Sequence, residues 1–137
     1  MIGMALLLLL GLLVALSVTM RWRGCYPSLP PVFDPGAEIR AAAMLRSVLS
    51  EEERSQLERF GFLEVHSPSV SNRVYRVPAR PGHVNVYEAD RLTLEVCVQP
   101  VGQLPADDVV LMHKLMIEGN EEGYLRQARV HWSRATG

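Results

Sequence analysis

One stretch of the sequence, between Ser67 and Tyr87, concentrates groups that could bind a ligand. It contains three arginines and no acidic residue, and its candidate site residues are Arg73, Arg76, Arg80, Tyr75 and Tyr87. Guanidinium groups neutralise phosphates and tyrosine rings stack on bases, so the pattern is that of a polyanion-binding hairpin for nucleic acid or anionic lipid. Three positive charges are few for such binding. The alternative is a solvated hairpin whose arginines pair with Glu64, Glu88 and Asp90.

The histidines and cysteines offer little catalytic or metal-binding chemistry. No two histidines stand four residues apart, and no CxxC motif is present. A zinc site would have to be assembled by folding alone from Cys97, His83 and His113, whereas tetrahedral zinc sites usually contain a close pair of ligands. Cys97 beside a histidine would be a nucleophile, but a half-buried structural cysteine is the favoured interpretation. We therefore predict no catalytic residue, no metal and no cofactor.

The first twenty residues predict that the chain is attached to a membrane. Ile2–Met20 contains no charged residue and would form a helix about 28 Å long, close to the thickness of the bilayer core. This predicts a single transmembrane helix over residues 1–20. Arg21 and Arg23 follow it and nothing basic precedes it, which places the C-terminal domain in the cytoplasm. The alternative is a cleaved signal peptide, with Ala15–Ser17 as the cleavage site, and hence an exported protein.

A proline-rich linker, residues 21–36, follows the predicted anchor. Cys25–Gly36 contains four prolines, which exclude a regular helix and favour an extended spacer. The two cysteines of the chain are far apart in sequence and suggest no disulfide framework. Read as unpaired, Cys25 and Cys97 suit a reducing compartment and agree with the cytoplasmic prediction.

Two helices are predicted next. Ala37–Leu49 is rich in strong helix formers, and its candidate inner face comprises Ile39, Ala42, Ala43, Leu45 and Leu49. Ser50 and Glu53 form a capping box that begins a second helix, Glu51–Phe60, with Gly61 at its end.

The hydrophobic period then changes to two residues, which predicts an antiparallel meander. The predicted strands are Phe62–Val65, Arg73–Val77, His83–Glu88 and Arg91–Gln99, with a tight turn at Ala89-Asp90. In the last strand, the alternation puts Leu92, Leu94, Val96 and Val98 on one face.

The C-terminal third should cover this meander. A helix is predicted from Pro105 to Glu118, with Met112 and Leu115 buried, and a last helix from Glu121 to about Trp132, capped by Asn120. The predicted fold class is α+β: an N-terminal transmembrane helix, then a short antiparallel meander with helices on either side in sequence. Residues 37–137 would form the folded domain.

One segment resembles small uncharacterised bacterial proteins. The residues that carry the resemblance are Leu104, Pro105, Asp107, Leu111, Lys114, Leu115, Glu118, Glu121, Glu122, Leu125 and Ala128. The resemblance covers roughly residues 57–130 by the element boundaries above and implies a discrete domain without assigning an activity. Together, these features predict a membrane-tethered, non-catalytic interaction domain whose protein partner the sequence does not identify.

Overall fold

The computed structural model describes residues 34–132. The predicted transmembrane helix and all but the end of the proline-rich linker lie outside these residues. Within residues 34–132, no helix is long and apolar enough to cross a membrane. The described part is an α+β domain of three helices and a five-stranded antiparallel sheet.

The first two helices are close to the predicted ones. Helix α1 spans Pro35–Val48 and helix α2 spans Glu51–Phe60. The capping box of α2 is confirmed, because the Ser50 amide donates to Glu53 Oε2 at 2.9 Å and the Glu53 amide donates to Ser50 Oγ at 3.2 Å. Gly61 ends α2 with φ +73°, a left-handed conformation that glycine adopts without a Cβ clash.

The inner face of α1 differs in part from the prediction. Ala41, Leu45 and Leu49 are buried, at intervals of four residues, whereas Ile39 is 70% exposed. The prediction that Ile39 faces inward is therefore wrong. The interval of four residues keeps the buried side chains on a single stripe of the helix.

The sheet is a simple meander in which each strand pairs with the next, in the order β1-β2-β3-β4-β5. The strands are β1 Phe62–His66, β2 Arg73–Pro78, β3 Val84–Glu88, β4 Arg91–Cys97 and β5 Arg129–Trp132. The predicted turn joins β3 to β4, with φ of 48° at Ala89 and 61° at Asp90. Two consecutive positive φ values are what a two-residue hairpin loop of type I′ requires.

A bulge in β4 reverses part of the predicted alternation. Tyr87 pairs with Leu92, but the next pair is Val86 with Leu94, so Thr93 is an extra residue on β4. The extra residue interrupts the alternation of the strand, so the residues directly before and after it point to opposite faces of the sheet. The prediction that Leu92 shares a face with Leu94 is therefore wrong.

The C-terminal helix and strand also differ from the prediction. Helix α3 spans Ala106–Gln127 and is kinked at Asn120, whose Oδ1 accepts a hydrogen bond from the Gly123 amide at 2.9 Å, so the predicted cap is confirmed. The helix does not reach Trp132, however, because Arg129–Trp132 forms β5 against β4. In β5, Val and Trp alternate with polar residues, and the ladder with β4 supplies the backbone hydrogen bonds of this segment.

The core lies between one face of the sheet and the helices. This core face carries Leu63, Val65, Tyr75, Val77, Val84, Val86, Leu94 and Val96, and the helices contribute Leu45, Leu49, Val110, Ile117 and Tyr124. Met112 packs partly buried against this core, but Leu115 is 51% exposed, so its predicted burial is wrong. Lys114 is buried in its place, because its ammonium donates to Glu53 at 2.7 Å and also to Glu118.

Candidate functional site

The sheet separates the residues of the predicted polyanion site onto two faces. In β2, Tyr75 points into the core and is fully buried, while Arg76 points to the opposite face, which we call the open face. Tyr87 lies on the open face with Arg76, and Arg80 is exposed in the loop after β2. The five residues therefore do not form one continuous cationic surface.

Arg73 and Tyr75 belong instead to a buried network around Glu121 of α3. Glu121 Oε1 accepts from Tyr75 Oη at 2.5 Å and from Arg73 Nη1 at 3.0 Å, and Oε2 accepts from Ser67 Oγ at 2.7 Å. Arg73 also donates through Nε to Glu88 at 2.8 Å. Burial raises the pKa of Glu121, but these hydrogen bonds, led by the one from Tyr75, outweigh burial and lower the pKa to about 2.

A column of aromatic rings extends this network through the core. The Tyr124 ring meets the Tyr75 ring edge to face at 6.0 Å, and its hydroxyl lies 2.9 Å from His113 Nδ1. Burial lowers the pKa of His113 to about 4, so the imidazole is neutral at neutral pH. Burial and the Glu121 carboxylate raise the pKa of Tyr75. These groups are enclosed, and the network holds the second half of α3 against β2.

The open face carries a stack of charged and aromatic side chains across β1, β2 and β3. The Arg76 guanidinium lies 4.9 Å from the centre of the Phe62 ring and 4.4 Å from the centre of the Tyr87 ring, distances at which cation–π attraction acts. Its Nε donates to Glu64 Oε1 at 2.8 Å. This ion pair and the one between Arg73 and Glu88 are those of the solvated-hairpin alternative.

A cleft of about 440 Å³ lies beside this stack, and we call it the open-face cleft. Its lining includes Glu64, His66, Asn72, Arg76, Tyr87 and Asp90. Two carboxylates and one guanidinium line it, so its acidic side chains outnumber its guanidinium groups by one. Such a cleft favours a neutral or basic ligand over a polyanion.

The zinc hypothesis fails on the positions of its residues. Cys97 is disulfide-bonded, so the prediction that it is unpaired is wrong. His113 lies in the core with Tyr124, while His83 packs its ring at 5.2 Å from that of His131. Among residues 34–132, no group of three or more His, Cys, Asp or Glu side chains is placed to hold a metal ion.

The sequence did not indicate Glu121 or Tyr124 as partners of the hairpin. The only available signal was that Glu121 directly follows Asn120, the predicted helix cap. Acidic residues in a first helical turn ordinarily interact favourably with the helix dipole, so this signal did not indicate a contact with the hairpin. The local pattern predicts the helix break at Asn120 but not the contact between Glu121 and β2.

No protein-family model, no curated protein and no solved structure matches this chain. The resemblance to small bacterial proteins therefore rests on the quoted residues alone.

Proposed function

We propose that this protein is a membrane-tethered, non-catalytic interaction module, and that the open-face cleft is its binding surface. The observation that carries the proposal is the layered Phe62–Arg76–Tyr87 stack beside a cleft of about 440 Å³. It lies on the face opposite the helices, where a partner has access. The uncharged Ile2–Met20 run supplies the tether.

The distribution of titratable groups supports binding rather than chemistry. The groups whose pKa values burial and neighbours shift most include Glu121, Tyr75 and His113, which are at most 4% exposed. A catalytic acid or base must come within hydrogen-bond reach of its substrate, and no substrate reaches these side chains. In the cleft, Glu64 and Arg76 neutralise each other.

The ligand that best fits the cleft is a polypeptide segment of a partner protein with a Lys or Arg side chain beside an apolar one. Asp90 offers a carboxylate to the basic group, and Tyr87 offers an aromatic surface. Arginine and tyrosine are, with tryptophan, the residue types enriched at the energetic centres of protein interfaces.

Site-specific photo-crosslinking in the membrane-bound full chain tests this proposal. A photoreactive amino acid replaces Tyr87 in one variant and Leu115 in a matched control, because Leu115 is exposed on α3, away from the open face. We expect one discrete protein adduct from position 87, none from position 115, and loss of the adduct when Glu64→Lys and Asp90→Lys are added. Equal adducts at both positions, or none at position 87, would refute the proposal.

Polyanion binding through Arg73, Arg76, Arg80, Tyr75 and Tyr87 remains the competing prediction. Retention of the detergent-solubilised full chain on heparin measures it directly, since phosphate-type binding falls steeply with salt. Salt-dependent retention that disappears in an Arg76→Gln, Arg80→Gln variant would favour the polyanion function over the protein-binding one.

The side of the membrane on which the module works is a separate question. Arg21 and Arg23 predict that it faces the cytoplasm. The cysteines do not support this orientation, because Cys97 is disulfide-bonded.

A further inference from the structure

We propose that one end of the domain is a docking surface for anionic lipid headgroups, which holds the module against a negatively charged bilayer. We call this surface the basic end, and it comprises residues 59–61, 79–83 and 98–105 together with Arg129. This role rests on the membrane tether of the proposed function, whereas the surface consists of described residues alone.

The sheet topology brings these segments together. Phe62, the first residue of β1, pairs with Pro78, the last residue of β2, and Cys97, the last residue of β4, pairs with Arg129, the first residue of β5. In an antiparallel meander, the starts of the odd strands and the ends of the even strands lie at the same end of the sheet. The Ala79 amide donates to the carbonyl of the glycine that ends α2 at 2.8 Å, so the β2–β3 loop packs against the end of this helix.

Apolar side chains are exposed at the basic end. Val101 is fully exposed, and Phe60 and Leu104 are 60% and 44% exposed. Val101 and Leu104 belong to the loop of residues 98–105, which contains no charged residue. Exposed apolar side chains on an uncharged loop suit the boundary between headgroups and acyl chains, because they leave water there.

Arginines accompany these apolar side chains. Arg59, Arg80 and Arg129 are exposed, and the segments of the basic end contain no acidic residue. Unlike Arg73 and Arg76, none of the three forms an ion pair with a residue of 34–132. Their guanidinium groups are therefore available to lipid phosphates, which they bind through paired hydrogen bonds.

The carboxylates nearest in sequence do not cancel this charge. Asp107 and Asp108 lie in the first turn of α3, where the helix dipole partly offsets their negative charge. Glu58 precedes Arg59 on α2, and the three exposed arginines outnumber it. An anionic bilayer complements both properties of the basic end, since it offers phosphates to the arginines and acyl chains to the apolar groups.

The open-face cleft lies at the other end of the sheet. Its lining includes Asn72 of the β1–β2 loop and Ala89 and Asp90 of the β3–β4 turn. These connections are opposite to the basic end in an antiparallel meander. When the basic end rests on lipid, the cleft therefore faces away from the bilayer, where a partner protein has access to it.

Fluorescence of the full chain reconstituted in lipid vesicles tests this docking. An environment-sensitive fluorescent amino acid replaces Val101 in one variant and Ser71, which is exposed in the β1–β2 loop, in a matched control. The vesicles contain phosphatidylcholine alone or with phosphatidylglycerol, and a nitroxide-labelled lipid quenches probes that contact the bilayer. With phosphatidylglycerol, we expect strong quenching at position 101 that falls with added salt, and none at position 71. Without it, quenching at position 101 should be weak.

Two variants of equal net charge separate the basic end from a general effect of charge. Arg80→Gln with Arg129→Gln removes two exposed guanidinium groups from the basic end, whereas Arg46→Gln with Arg91→Gln removes two from α1 and the start of β4. Each basic residue close to an anionic surface raises association about fivefold. The first variant should therefore lower the equilibrium constant for contact, measured by quenching against phosphatidylglycerol content, about 25-fold, and the second should leave it unchanged.

Three outcomes would overturn the docking surface: equal quenching at positions 101 and 71, quenching at position 101 that does not depend on phosphatidylglycerol, or equal losses in the two double variants. Failure of the tether is distinguishable from these, because flotation with phosphatidylcholine vesicles reports it directly. A chain that does not float with them would refute the tether, and phosphatidylglycerol-dependent quenching at position 101 would still support the docking surface.

Discussion

Replacing Glu121 by glutamine should remove a pH-dependent part of the stability of this domain. Glu121 titrates at a pKa of about 2 in the folded protein, compared with its usual 4.5. The difference of 2.5 pKa units, at about 1.36 kcal/mol per unit, corresponds to about 3 kcal/mol. Because the folded-state pKa is lowered, this contribution is complete above about pH 5 and disappears as the pH falls towards 2.

Urea denaturation of a fragment that spans residues 21–137, which keeps both cysteines, measures this effect. We expect Glu121→Gln to lower the free energy of unfolding by about 3 kcal/mol at pH 7, and the difference from wild type to shrink as the pH falls through the carboxylate range. An amide nitrogen that faces the donors around position 121 would add a pH-independent loss. The informative quantity is therefore the change of the difference with pH.

Glu122→Gln is the matched control, since it makes the same substitution one residue away. The Glu122 side chain is 83% exposed and its ion pair with Arg126 spans 3.5 Å. Exposed pairs of this kind contribute about 0–1 kcal/mol. Parallel stability curves for wild type and Glu121→Gln from pH 7 to acid would refute the network, because they would show that Glu121 titrates alike in the folded and unfolded chains.

Two further substitutions test the packing of α3 and the β3–β4 turn by the same denaturation assay. Ile117→Ala should lower the free energy of unfolding by about 2–5 kcal/mol because Ile117 is fully buried. Leu115→Ala should change it by no more than about 0.5 kcal/mol because Leu115 is exposed. Similar losses in the two variants would contradict the observed difference in burial between these residues. Ala89→Gly should stabilise the domain by up to about 1 kcal/mol, since Ala89 has φ 48° and glycine adopts this conformation without strain. A loss of stability in this variant would show that the turn is not left-handed at this residue.

The parts of the fold that local chemistry specifies could be predicted from the sequence. The capping box from Ser50 to Glu53 and the glycine at position 61 fix both ends of α2. The period of two residues gave the first four strands to within a residue or two, and the α+β class followed from the order of the elements. In each case, neighbouring residues carry all the information that the prediction needs.

The parts that depend on distant contacts could not be predicted in this way. Hydrophobicity alone places Leu115 inside and Lys114 outside. In the structure, however, Glu53 on α2 is a partly buried partner for the Lys114 ammonium, so Lys114 is buried and Leu115 is exposed. A buried lysine is tolerated only when it is paired. The disulfide at Cys97 was missed as well, since the absence of CxxC does not exclude a disulfide.

The arginine-rich hairpin shows that contacts between residues distant in sequence also affect the inference of function. Between Ser67 and Tyr87 the sequence contains three arginines and no acid, which suggests a positive surface. In the folded domain, Arg73 meets Glu88 and Glu121, and Arg76 meets Glu64, all of which lie outside that stretch. Glu121 directly follows the kink at Asn120, so one of these carboxylates comes from a helix far away in sequence. Charge that is counted along the chain therefore overstates the charge on the surface, and the open-face cleft, with its excess of carboxylate, favours a basic polypeptide over a nucleic acid.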